Sequence, residues 1–297
     1  MADTGREADI RGIDVQKLVV GFADEDVVLK KYCRQAKTSA REIRWFQKTA
    51  GYISPATTTA ITSNLLANTS FGSLAPVAQQ SWTRNTSYVR KYFVESDLIT
   101  MEDEADSDVD VLGTTIRDLL IAVSSQVDVR IYNVLSESLS PANINYTAST
   151  QDGWDDSATG DPIKDILTGN QKIRAQRYKI DSKNKAILYI NSVEHKNLLL
   201  YLISVKGSSF PQIAGALLKD GAVMELLNND VVVSENATTD YALQFLPNRS
   251  CCWKTFMPLK SEVEKYAGKG KKIFIWEEGE AILEHPKSVH LITDTVT

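Results

Sequence analysis

The sequence predicts a mixed α+β fold, and three observations predict it. One long amphipathic pattern lies near the middle of the chain, a polar and extended stretch precedes it, and short strand-like runs separated by turn residues fill the C-terminal third. The long pattern is the clearest. Val109, Leu112, Ile116, Leu119, Val123, Val127, Ile131 and Val134 recur at steps of three and four, the spacing of a single helical face. A helix over about residues 107–137 is expected, and its apolar stripe would run for about 40 Å.

In chain order, residues 14–50 read as helical. Val15, Leu18, Val19 and Phe22 share one face, and Val28, Leu29, Tyr32 and Ala36 continue it. Lys30, Arg34, Lys37, Arg41, Arg44 and Lys48 step by four and three, so an unbroken helix would align them on one side. Ser39-Ala-Arg-Glu42 has the form of a capping box, which predicts two short helices meeting near Thr38. Gly51 to Ala78 is rich in Gly, Ser, Thr, Asn and Ala and carries Pro55 and Pro76, and Trp82 to Val94 then reads as one long strand. A polar, extended excursion without its own core suits a loop or an arm packed on a neighbour.

Between Glu95 and Asp110 stand eight acids and no base. Asp106-x-Asp108-x-Asp110 has the start of a calcium loop, but Val111 stands where the turn needs Gly and Arg117 where a bidentate Glu is required. The acids instead mark the start of a helix, whose dipole favours negative charge there. The long helix should end near Ser138-Leu-Ser-Pro141, with a loop to Pro162. Ile163 to Arg177 reads as a helix, Ala186–Ile190 as a buried strand, and Asn191-Ser192 as the cap of a helix through Ile203. Short strands follow at Val223–Leu227, Val231–Ser234, Tyr241–Leu246, Cys252–Met257, Lys272–Trp276 and Val289–Thr293.

The 297 residues, 43% hydrophobic and 24% charged, suffice for a substantial core. A net charge of −5 argues against nucleic-acid binding driven by bulk positive charge. The N-terminal Met-Ala-Asp-Thr-Gly-Arg-Glu-Ala-Asp lacks an apolar signal core. The longest apolar stretch, around Leu198 to Val205, falls far short of the ~20 residues that cross a bilayer. A soluble chain made in the cytosol is expected, with no membrane partner. Cys33, Cys251 and Cys252 form no disulfide framework. The sequons at Asn68, Asn85, Asn145, Asn236 and Asn248 carry no weight without a signal peptide.

Motifs for chemistry are missing. There is no phosphate-binding Gly-x-x-x-x-Gly-Lys loop, since Gly268-Lys-Gly-Lys-Lys has the wrong spacing and reads as a turn. No Gly-x-Ser-x-Gly elbow occurs, and His195, His285 and His290 lack partners at metal-ligand spacing. No catalytic residue, cofactor or metal is expected, and the chain reads as a structural protein rather than an enzyme.

Several segments together resemble the major capsid proteins of tailed double-stranded DNA viruses, the Hong Kong 97 type. Val94-Glu-Ser-Asp-Leu-Ile-Thr100, Val109-Asp-Val-Leu-Gly-Thr-Thr-Ile-Arg-Asp-Leu119 and Val127-Asp-Val-Arg-Ile-Tyr132 look like the approach to, and body of, that family's spine helix. Ala186-Ile-Leu-Tyr-Ile-Asn-Ser192, Asp240-Tyr-Ala-Leu243, Ile275-Trp-Glu-Glu-Gly279 and Val289-His-Leu-Ile-Thr293 resemble the second half of such coat proteins. The resemblance covers nearly the whole chain and rests on the order of parts. It implies an N-terminal arm at 1–51, an extended loop at 52–95, a peripheral domain at 96–162 with 271–297, and an axial α/β domain at 163–270. It further implies a self-assembling subunit of an icosahedral head, built from hexamers and pentamers in the cytoplasm of a bacterial or archaeal host. Such a head encloses double-stranded DNA contacted non-specifically, with scaffolding, portal or decoration proteins as further partners.

Two other readings compete: a cargo-compartment shell protein of the encapsulin type, and a cytosolic α/β enzyme with an unrecognised site. Within the shell reading, charge singles out contact candidates. Lys30 to Lys48 carries seven bases and one acid, against the eight acids of Glu95 to Asp110. Lys30, Arg34, Lys37, Arg41, Arg44 and Lys48 on one side, with Glu102, Asp103 and Glu104 on the other, are expected to meet across subunits and steer assembly. Contact of the basic stripe with DNA phosphates, or plain solvation of both blocks, are the alternatives.

Overall fold

The structure, a computed structural model, describes residues 28–50, 81–106, 111–149, 153–156, 159–204 and 225–296. The expected helix over Val15–Phe22, the Gly51–Ala78 stretch, and Val109 with Asp108 and Asp110 lie outside these residues. The chain divides into two compact units. The first is Met1–Ile43, Tyr88–Ile131 and Trp253–Ile282, and the second is Arg44–Ser87, Tyr132–Cys252 and Leu283–Thr297.

The helices expected over the described part of residues 14–50 do not form. A single 3-10 turn at Lys30–Tyr32 leads into strands β1 (Arg34–Lys37) and β2 (Glu42–Ala50). On β2 the periodicity is two: Ile43, Trp45 and Gln47 face inward while Arg44 and Phe46 face out. Branched and aromatic side chains at alternate positions suit a pleated surface, and sheet partners decide the conformation over the helical spacing of the bases. The apparent capping box is a turn instead, in which Thr38 Oγ1 accepts from Ala40 N at 3.3 Å. The six bases therefore do not share one helical face.

In the first unit, β1 pairs with β11 (Cys251–Tyr266), β11 with β12 (Gly270–Leu283), and β12 with β4 (Arg90–Glu95) and the short β5 (Ile99–Thr100). The strand expected over Trp82–Val94 breaks at Val89 into β3 (Ser81–Tyr88) and β4. β3 pairs with β2 in a separate two-stranded ribbon. β11 and β12 run far beyond the expected Cys252–Met257 and Lys272–Trp276, joined by a turn through Gly268. Close approach explains Gly270, where a Cβ would sit 2.0 Å from the Ile99 carbonyl oxygen.

Two helices follow β5. The short α1 (Met101–Asp106) has Glu102, Asp103 and Glu104 in its first turn, and Thr100 Oγ1 accepts from Asp103 N. The acids were expected to start the long helix, but they start this short one instead, and the long helix has no acid in its first turn. The long α2 spans Val111–Leu135, and its Leu112, Ile116, Leu120 and Val123 pack with Ile99 and with Ile273 and Ile275 of β12. Ile273, Ile275 and Glu277 alternate on the buried side of β12, so its core parity also carries a charge inward.

The second unit is built on a six-stranded sheet in the order β6-β13-β10-β7-β9-β8. The strands are β6 (Asn145–Ala148), β7 (Ala186–Ile190), β8 (Glu225–Leu226), β9 (Asn229–Val233), β10 (Tyr241–Phe245) and β13 (Val289–Thr293). β6 runs parallel to β13 and β7 parallel to β9, while β10 is antiparallel to both β13 and β7. Helices α3 (Pro162–Ala175) and α4 (Ser192–Ser204) contribute Ile166, Leu198 and Leu202 to one core with Leu188, Ile190, Ala242 and Ile292. Asn191 caps α4 as expected, its Oδ1 accepting from Val193 N at 3.1 Å. Asp161 caps α3 in the same way, accepting from Lys164 N at 3.1 Å.

Candidate assembly surfaces

The charged blocks split between half-buried and exposed residues. Lys30 is used within its own chain: its ammonium pairs with Glu277 and lies 5.6 Å from the centroid of the Trp253 ring. Trp253 Nε1 donates to the same carboxylate at 3.2 Å. Arg41 lies over the Phe256 ring at 6.0 Å, and Arg34, Lys37, Arg41 and Arg44 are all exposed. Lys48 is on β2, with its side chain outside the described residues. On the acidic side, Glu104 is tied to Lys271, whose Nζ lies 2.7 and 2.8 Å from its two oxygens. Glu102 and Asp103 are exposed and line an open groove of about 750 Å³ with Glu95, Asp97, Leu98 and Val111. Its lining combines four carboxylates with apolar Leu98, Ile99, Val111 and Leu119. The described segments of the basic block offer cations to solvent, as the groove offers anions.

Sequence reasoning overlooked a buried ionic network in the first unit. Asp128, on α2, is fully buried and accepts from Val28 N and Leu29 N at 3.1 and 3.2 Å. Burial pushes its carboxyl up to about 6, against the pull of those two amides and of Lys30. Two residues on, Arg130 donates to fully buried Glu280, with Nε at 3.1 Å and Nη2 also in contact. Arg90 Nε lies 3.3 Å from the other oxygen of Glu280. Beside them burial, with Glu280 second, raises the Tyr92 hydroxyl to about 12. Two signals were legible: Asp128 and Arg130 interrupt an apolar helix, and Glu277 falls on the parity of Ile273 and Ile275. Buried charges need partners.

The histidines lie apart. His290 is buried in β13 with Nε2 2.9 Å from Thr147 Oγ1, and burial lowers it to about 4. Burial also lowers His195, and the His285 ring lies 6.2 Å from that of Tyr178. Among the described residues no group of three or more His, Cys, Asp or Glu could hold a metal ion, and the three cysteines are buried and form no disulfide.

No family model and no curated protein matches the chain. Solved structures do. A virus-like particle from Pyrococcus furiosus is 11% identical with a TM-score of 0.60, over 94% of this chain and 98% of that one. The capsid of cyanophage P-SCSP1u is 11% identical with a TM-score of 0.65, over 90% and 88%. The mature capsid of bacteriophage PhiM1 is 10% identical with a TM-score of 0.62, over 90% and 86%. Identity this low speaks to architecture alone, and in architecture the agreement spans nearly the whole chain: it has the Hong Kong 97-type capsid fold.

Proposed function

We propose that this chain is a major capsid protein, the self-assembling subunit of an icosahedral virus head that encloses double-stranded DNA. The observation that carries the reading is the likeness to the cyanophage capsid across 90% of the chain. A fold can host several functions, so the experiment must look at assembly itself. Negative-stain imaging of the purified protein is expected to show closed, uniform shells, and a compact monomer at all concentrations would refute the reading. Because the same shell fold says nothing of what it encloses, a cargo-compartment shell of the encapsulin type is a second reading. DNA inside purified particles supports the virus head, and a folded enzyme inside supports the compartment.

Within this reading residues 1–51 form the arm and 52–95 the extended loop. Residues 96–162 with 271–297 form the peripheral domain around α2, and 163–270 the axial domain. Subunits gather as hexamers and pentamers in the host cytoplasm, with scaffolding, portal or decoration proteins joining them. Of the charged candidates, Arg34, Lys37, Arg41, Arg44 and Lys48 meet Glu102 and Asp103 of a neighbour, while Lys30 and Glu104 serve within the subunit. Opposite fields of this kind steer encounter more than they add affinity. Arg41→Glu with Arg44→Glu should block assembly, and Glu102→Lys with Asp103→Lys should partly restore it. Failure of the second pair to restore assembly, with the fold intact, rules out their meeting.

A further inference from the structure

A second cleft, of about 710 Å³, lies in the second unit between the loop after α3 and the turn joining β10 to β11. Four cations line it: Lys179, Lys183, Lys185 and Arg249, with Asp230 the single carboxylate among its lining residues. Two of the cations are already neutralised. Lys179 pairs with Asp181 at 2.9 Å, and Lys185 with Glu225 at 2.6 Å and Asp230 at 3.2 Å. The other two, Lys183 and Arg249, have no carboxylate partner among the described residues.

Local structure holds the guanidinium of Arg249 and the backbone of Lys183. Arg249 lies 5.0 Å from the centroid of the Tyr178 ring, and that ring is itself buried. Stacking fixes a planar guanidinium and leaves its edge to make bonds. Lys183 stands on a tight turn closed by Asp181, whose Oδ1 accepts from Lys183 N at 3.0 Å and Asn184 N at 2.8 Å. With Oδ2 taken by Lys179, that carboxylate is committed and does not answer Lys183. Ser182, Asn184 and Asn248 add neutral polar groups to the same cleft.

We propose that this cleft is a phosphate-binding site, taking the phosphate groups of a nucleic-acid backbone or of a free phosphate. A forked guanidinium beside a point-charge ammonium suits a tetrahedral dianion or successive phosphodiesters, which present oxygens in several directions. A single carboxylate from a neighbouring subunit would leave much of this donor set idle. The site is independent of the shell reading, because binding is measured on the full chain whether or not it assembles.

The test is titration of the full-length protein with a fluorescent fifteen-nucleotide oligothymidine and, separately, with inorganic phosphate. Lys183→Gln with Arg249→Gln should weaken oligothymidine binding at least tenfold. It should also reduce the slope of log affinity against log salt by about 1.4, two lost contacts to a single strand. Arg249→Lys, which keeps the charge but loses the fork, should fall between wild type and the double variant, and Lys260→Gln, a change on an exposed lysine elsewhere, should leave the affinity near wild type. Saturable binding of inorganic phosphate that displaces the oligonucleotide marks a free-phosphate site, and binding of the oligonucleotide alone marks a backbone site. The proposal is overturned by an unchanged slope in the double variant, or by equal weakening in the Lys260 control. It is equally overturned if neither phosphate probe binds the wild-type protein.

Discussion

Burial moves Asp128 and His290 in opposite directions, and each shift acts in its own pH window. Asp128 titrates near 6 in the fold and near 3.9 when unfolded. A raised carboxyl favours the protonated fold, so its contribution is fully present below about 3.9 and lost as pH rises through about 6, on the order of 3 kcal/mol. Asp128→Asn keeps an oxygen for the Leu29 amide and removes the titration. Urea unfolding followed at pH 4 and at pH 7.5 should show the wild type losing stability relative to this variant at the higher pH. His290 has the reverse sign. It titrates near 4 in the fold and near 6.5 unfolded, so its contribution is present above about 6.5 and lost as pH falls through about 4. His290→Gln should lose less stability than wild type between pH 6.5 and 4. A parallel pH profile for either variant and the wild type would show that the buried group is not the source.

At the scale of elements, α2 tests how finely its sequence could be read. The stripe of three and four gave the right helix and most of the right face, because burial on one side imposes the period directly. It named Leu119 where the structure buries Leu120 completely and leaves Leu119 half-buried. Leu120→Ala should cost ~2–5 kcal/mol by denaturant melting, and Leu119→Ala distinctly less. Equal costs would contradict this packing. β1 and β2 were not legible, because bases spaced at three and four imitate a helix and nothing local announces the strands that pair with them. β11 was hidden for a different reason. Its outer half, Pro258 to Tyr266, alternates Leu259, Ser261 and Val263 with exposed Lys and Glu, and one apolar face that thin has little signal of its own. Both failures concern long-range pairing. The charged residues of the candidate surfaces were visible as blocks, whereas the split into engaged Lys30 and Glu104 and exposed Arg44 and Glu102 needed the tertiary partners Glu277 and Lys271.

For the molecule as a whole, the ribbon of β2 and β3 gives a clean way to separate folding from assembly. The two strands pair, so residues 51–80 can be replaced by a two-residue turn of the Asn-Gly kind that closes such pairs. The shortened protein should remain soluble and keep its melting temperature, yet fail to build shells in light scattering. Normal particles from it would show that the segment has no part in contacts between subunits.

The order of strands also sets when these surfaces come into being. The first unit draws on three separate stretches of chain, the last ending at Ile282, and the second is closed by β13, wedged between β6 and β10. A ribosome delivers residues in sequence, so neither sheet can close until the final strands have emerged, and contacts this distant in sequence form slowly. A nascent chain halted at residue 250 should therefore be fully protease-sensitive, and resistance should appear only once β12 and then β13 have been made. A stable core in the shorter chain would disprove this timing. If it holds, and the chain builds shells as proposed, translation itself keeps half-made subunits from nucleating one, since polyribosome-bound chains lack any finished face to offer one another.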